Sequence, residues 1–286
     1  MSATVELAGL GFPEALRWRD GAVWFSDMFR GRVVRWVPET AAETVLDLDH
    51  GGPEMPGGLG WLPDGDLLVV DCLDRRLLRV TGTGGSAAVS VHADLAPWFG
   101  HPANDLHVDA DGTAWVGGYG FDPEGEEPRA SRLLRVDPDG TVTETGTDLV
   151  FPNGCERRSD GALVVAETFA DRVSVLSSDA STSLDSIELP DGSGPDGLAL
   201  DGDDILVALA FAAAVARLRG DEVETLYRAE PIADGPGAGP AGCYDVAVHP
   251  TDGRIAVAIA SLDEELAMRV DTGRIVLLSR AARPRR

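Results

Sequence analysis

Four residues with oxygen-bearing side chains, Glu14, Asn104, Asn153 and Asp196, stand in the contexts FPE, PAN, FPN and GPD. Each lies five to seven residues ahead of an aspartate-containing turn, and Gly58 and Asp245 hold the corresponding place in two further segments. An Asn or Asp beside proline is, alone, an ordinary turn residue. Several at one register imply a shared site, and buried carboxylates are costly unless they are paired or bound to metal. Two resolutions are open. Arginines elsewhere in the chain could reach in, or a hard divalent cation could sit among the oxygens. Glu, Asp and Asn donors suit Ca²⁺, Mg²⁺ or Mn²⁺ and can also hold Zn²⁺. The histidines form no cluster that would demand zinc.

The elements that must position these residues are repeats. Six segments share one grammar, an apolar strand, an Asp-Gly-type turn and a second apolar strand: FPEALRWRDGAVWFSD, GGLGWLPDGDLLVVD, PANDLHVDADGTAWVGG, FPNGCERRSDGALVVAET, GPDGLALDGDDILVALA and CYDVAVHPTDGRIAVAIA. Their turns fall at Asp20, Asp64, Asp111, Asp160, Asp201 and Asp252, at spacings of 44, 47, 49, 41 and 51 residues. Asp-Gly between apolar runs is a strong hairpin signal. Further strand-like pieces follow each hairpin, such as GRVVRWVP, RRLLRVTG and SRLLRVDPDG. Four strands per repeat is the arithmetic of a propeller blade. The expected fold is therefore all-β: a single six-bladed β-propeller domain over residues 1–286 with four-stranded antiparallel blades. The first strand of every blade lines the central channel, so the six strand starts ring one mouth.

Residues 4–8 are expected to pair into the last blade and close the ring, hiding its edges. Strands are expected there near 254–260, 266–270 and 274–278. No amphipathic helix is expected, and 81–86, 123–128 and 233–241 read as inter-strand loops.

The chain has 286 residues, 44% of them hydrophobic, enough for a sizeable core. Its net charge is −24, and all 24 of its basic residues are arginine. That balance argues against a nucleic-acid partner and excludes lysine Schiff-base chemistry. No long apolar run suggests a membrane span, and MSATVELAGLGF lacks the basic patch and apolar stretch of a secretory signal, so a cytoplasmic location is expected. Cys72, Cys155 and Cys243 have no zinc spacing and read as small buried apolar residues. His101 is a candidate proton shuttle or substrate donor, while His50, His92, His107 and His249 read as structural. Glu167, at the end of VVAET, is a candidate to reach the mouth.

Four motifs in order, FPEALRWRDGAVWFSDM with GRVVRW, PANDLHVDADGTAWVGGYGFD, FPNGCERRSDGALVVAET and PDGLALD, span essentially the whole chain. In them the sequence resembles the senescence-marker-protein / gluconolactonase family of six-bladed propeller hydrolases. The resemblance implies one divalent metal at the channel mouth, held by Glu14, Asn153 and Asp196, with Asn104 beside it contacting substrate or bound water. It implies lactone hydrolysis of a small-molecule substrate, with Asp196 the first candidate for general base, and it maps a second acidic substrate contact near Asp122. The sequence departs from the family where sugar-lactone members often carry an arginine, two residues before the Asn of the ND pair. Here that position is Pro102. The loss argues against a polyhydroxylated sugar acid. Trp98, Phe99, Tyr119, Phe121 and Phe169 would make the mouth aromatic and suit a less polar lactone or ester. Two other readings stand beside hydrolysis: the same metal site retasked for isomerisation or condensation, and a non-catalytic metal- or ligand-binding propeller. Fold alone does not choose among them.

Overall fold

In the first repeat, Pro13–Arg19 joins Ala22–Asp27 through Asp20 and Gly21, both in the left-handed region at φ 51° and 74°. Glycine adopts that conformation freely and aspartate more readily than most residues, so the pair reverses the chain in two residues. This computed structural model describes residues 2–82, 87–233 and 235–279. Six four-stranded antiparallel sheets form within them, one per repeat. The inner strands of blades two to six are Pro56–Trp61, Ala103–Val108, Pro152–Arg157, Pro195–Asp201 and Ala241–Val248. Each packs beside the next, and that of blade six packs beside that of blade one, which completes the propeller.

Both ends of the chain build the sixth blade. Ser2–Leu10 pairs antiparallel with Gly273–Ser279, Thr4 opposite Leu277 and Ala8 opposite Arg274, so the expected ring closure forms. Ser2–Leu10 is the outermost strand of that blade and covers the edge that Gly273–Ser279 would otherwise present.

Burial peaks at the second strand of each blade and falls toward the outermost. The second strands, such as Leu67–Asp71 and Ile255–Ser261, are buried at every residue because neighbouring blades cover both faces. The outermost strand of blade four, Ser183–Glu188, is almost wholly exposed and reads SLDSIE.

The last blade corrects one expectation. The segment expected as a strand at 266–270 is instead part of a helix, α1, spanning Glu264–Arg269. Asp263 caps it by accepting the Leu266 N–H, and Glu264 and Glu265 occupy its first turn, where carboxylates favour the helix dipole. The run EELAMR is composed of good helix formers. Blade three carries a long connection after Ala114–Gly118, tied down where Ala130–Ser131 pairs with Leu149–Val150. Of the expected loops, 83–86 and residue 234 lie outside the described residues.

Candidate active site

Every inner strand breaks register with its neighbour near its start. In blade three, Ala103 faces Gly118 and Leu106 faces Val116, so Asn104 and Asp105 together stand opposite one residue. Such a bulge re-aims the side chains it carries. Aligned on the bulges, the strands present two tiers. Glu14, Gly57, Asn104, Asn153, Asp196 and Tyr244 form the first, and Ala15, Gly58, Asp105, Gly154, Gly197 and Asp245 the second. Gly58 and Asp245 therefore lie one residue deeper than counting back from the turns suggests. Turn length differs between blades, so one offset does not serve all six: Arg19 pairs with Ala22 and Asp201 with Asp204 across two-residue turns, Trp61 with Leu67, Val108 with Ala114 and Arg157 with Leu163 across equal longer loops, and Val248 with Ile255 across one longer still.

Glu14, Asn104, Asn153 and Asp196 line one cavity of about 460 Å³. Asn104, Asn153 and Asp196 are only 6–8% exposed. Asn153 Nδ2 donates to Thr168 Oγ1 at 3.2 Å. Asp196 Oδ1 is buried with no hydrogen-bond partner among the described residues. Burial pushes the Asp196 carboxyl well above the usual carboxylate range, and the charges of Asp245 and Asp105 push it further, opposed by a hydrogen bond from Asn153. Glu14 is raised by the same burial and then by the charge of Asp196. No arginine or histidine among the described residues lines this cavity.

The second tier solves the same problem differently. Arg17, on the strand that carries Glu14, crosses the channel. Its Nη2 lies 3.0 Å from Asp105 Oδ1 and donates to Leu106 O at 2.8 Å, while Nη1 lies 3.6 Å from Asp245 Oδ2. Asp245 also accepts the Leu16 N–H, tying blade six to blade one. Desolvation opposes the Arg17 charge, but Asp105 and Asp245 outweigh it and hold the guanidinium firmly protonated. One of the two open resolutions therefore appears: arginine pairs the deeper carboxylates, while no arginine or histidine among the described residues lines the cavity that holds Glu14 and Asp196.

Of the other candidates, Tyr119 and Asp122 line the cavity, as does Phe169. Tyr119 lies on Phe151 with ring centroids 4.3 Å apart. His101 does not line it; it sits beside Trp98 and Phe99 with Nε2 3.5 Å from Glu126. Phe121 is packed in the interior against Phe151 and Phe169. Glu167 is also absent from the cavity, because both its oxygens are engaged. Oε1 accepts from Arg172 at 2.6 Å and Ser174 at 2.5 Å, and Oε2 accepts the Val150 N–H at 2.6 Å. It pairs across strands with Arg172 as Asp27 does with Arg32 and Asp71 with Arg76. Asp27 Oδ1 likewise accepts the Gly11 and Phe12 N–H groups. Asp27 and Glu167 thus anchor the segments that deliver Glu14 and Asn153.

Sequence reasoning missed Tyr244, Glu124, Glu264 and the rings Phe12, Phe29, Phe151 and Phe211, all of which line the cavity. A signal existed for some. Phe12 and Phe151 both precede the proline that opens an inner strand, and Phe29, Phe169 and Phe211 follow second strands at one equivalent place. Glu264 arrives on α1, which the strand expectation hid. His107 is structural: Nε2 lies 3.1 Å from Asp109 and Nδ1 3.1 Å from Glu156. Cys72, Cys155 and Cys243 are all buried and free.

Among the described residues no group of three or more His, Cys, Asp and Glu is arranged to hold a metal. The first tier offers instead two carboxylates and two carboxamides, an oxygen set of the kind hard cations take. The orphaned, buried Asp196 Oδ1 fits such an ion.

Six blades around a channel, with oxygen donors gathered at one mouth, define a propeller whose site is assembled from separate repeats. The chain belongs to the SMP-30/Gluconolactonase/LRE-like family, whose model matches residues 12–230. Among solved structures it is similar to a luciferin-regenerating enzyme (TM-score 0.76, 16% identity, covering 98% of this chain and 96% of that one). It is similar also to a gluconolactonase from Xanthomonas campestris (TM-score 0.71, 18% identity, 96% and 88% covered). A third is regucalcin, a calcium-binding protein from Agrobacterium tumefaciens (TM-score 0.70, 19% identity, 95% and 92% covered). At these identities the likeness is one of fold. No curated protein matches the chain in sequence.

Proposed function

We propose that this protein is a metal-dependent lactonase acting on a small molecule in the cavity at the channel mouth. The observation that carries the reading is the isolation of Asp196 Oδ1, which among the described residues is buried and unpartnered in a cavity shared with Glu14, Asn104 and Asn153 and lined by no cationic side chain. Glu14, Asn153 and Asp196 would hold one divalent cation. Bound there, such an ion supplies carbonyl polarisation and activation of water. The naming of one structural relative as calcium-binding makes Ca²⁺ the first ion to try, with Mg²⁺, Mn²⁺ and Zn²⁺ beside it.

Asp196 is the candidate general base, since it alone in the tier has a buried oxygen free of protein donors. Asn104 lies on the same wall and orients the substrate carbonyl. Tyr119, Phe151 and Tyr244 exclude water and seat an apolar body. The absence of an arginine in the lining supports a less polar lactone over a sugar acid.

A panel of lactones followed with a pH indicator tests this, with and without chelator and with Asp196→Ala. Turnover that chelator and Asp196→Ala both abolish is expected. Turnover indifferent to chelator would sink the metal mechanism, and metal binding without turnover of any lactone would favour the retasked or non-catalytic readings.

A further inference from the structure

The wall of the cavity carries charges that the first tier does not use. Glu124 enters from the long connection of blade three and Glu264 from the first turn of α1 in blade six, the blade opposite. Both line the cavity, and neither has an ion-pair partner among the described residues. They feel each other: although the Glu264 side chain reaches solvent at the rim, the surrounding protein partly desolvates its carboxyl and raises it, and the charge of Glu124 raises it further. Asp122 and Asp263 add to the same wall. The remaining surface is aromatic, with Phe169 and Phe211 edge to face at 5.8 Å and Tyr119 and Phe29 beside them. Aromatic faces attract cations and offer nothing to an anion. At the floor, the unpartnered Asp196 Oδ1 adds a buried acceptor to the same cavity.

We propose that the cavity selects a substrate with an apolar or aromatic body and a protonated nitrogen, the nitrogen seated between Glu124 and Glu264 among the phenylalanine rings. A carboxylate-bearing lactone would meet like charge from Glu124 and Glu264 on this wall. The inference rests on the reading of this cavity as the substrate site, but not on hydrolysis.

Three inert probes of one size separate the possibilities: 2-phenylethylammonium, 2-phenylethanol and phenylacetate. Their binding to protein saturated with Ca²⁺, so that Glu14 and Asp196 are engaged, is measured by ligand-observed NMR titration. The ammonium is expected to bind about tenfold more tightly than the alcohol, with phenylacetate weaker than both. In Glu124→Gln/Glu264→Gln, two substitutions at exposed positions, that preference is expected to fall to about twofold or less. Equal binding of ammonium and alcohol, or a preference that survives the double substitution, overturns the proposal. An ammonium preference in a protein that opens no lactone leaves the inference standing and removes the hydrolytic reading. Lactone turnover without the preference does the reverse.

Discussion

Glu14 of blade one and Asp196 of blade five face one cavity with no cationic side chain in its lining among the described residues, and burial, then the charge of Asp196, pushes the Glu14 carboxyl upward. Keeping Glu14 there therefore costs the metal-free fold stability at pH values where the carboxyl of the unfolded chain is ionised. Glu14→Gln should raise the melting temperature of the chelated protein. Saturating Ca²⁺ should reverse the order, stabilising the wild type by about 2.7 kcal/mol at a hundredfold excess over Kd and the variant far less. Differential scanning calorimetry in chelator and in Ca²⁺ reads both effects.

Glu167 acts on Asn153 through the backbone, by anchoring Val150 while Arg172 holds its other oxygen. Glu167→Gln should cost roughly 2–3 kcal/mol in urea denaturation, because a buried carboxylate leaves its partner behind. A loss of turnover with unchanged stability would instead mean that Glu167 meets substrate.

Gly154 lies where the inner strands crowd. A Cβ there would meet Asp196 O at 2.6 Å and Leu198 N at 2.7 Å, both backbone atoms that cannot step aside cheaply. Gly154→Ala should cost roughly 1–3 kcal/mol and weaken the site through Asp196. Gly100→Ala has open space and should stay within about 0.5 kcal/mol of wild type. Chemical denaturation of the pair checks the contrast.

Stability should also fall in alkali. Burial opposes the His107 charge, but hydrogen bonds to Asp109 and Glu156 prevail and raise its pKa to about 9. A pKa raised on folding stabilises fully below the unfolded value, about 6.5, and the benefit is lost as pH climbs through about 9. The loss is up to roughly 3 kcal/mol. Urea midpoints at pH 6, 7.5 and 9.5 should show it, and His107→Gln should flatten the slope.

The propeller was legible because the Asp-Gly turns recur, and because Pro13, Pro152 and Pro195 mark where inner strands begin. Glu14, Asn104, Asn153 and Asp196 were legible for the same reason, and they do share a cavity. Gly58 and Asp245 are one residue off because no single count serves turns of different lengths: Gly57 lies seven residues before Asp64, as Asn104 does before Asp111, whereas Tyr244 lies eight before Asp252. Glu167 looked exposed to function, since a cross-strand arginine five residues later does not declare itself in a strand pattern. Glu264 was hidden because α1 replaces a strand in the last repeat, and Glu124 because a long loop has no periodicity to read.

The account turns on whether the first tier holds one cation. Isothermal titration of Ca²⁺ into chelator-treated protein, beside Asp196→Asn, asks this directly. The expected result is one ion per chain in the wild type and none at that site in the variant. No uptake of Ca²⁺, Mg²⁺, Mn²⁺ or Zn²⁺ by the wild type, or undiminished uptake by Asp196→Asn, would contradict it.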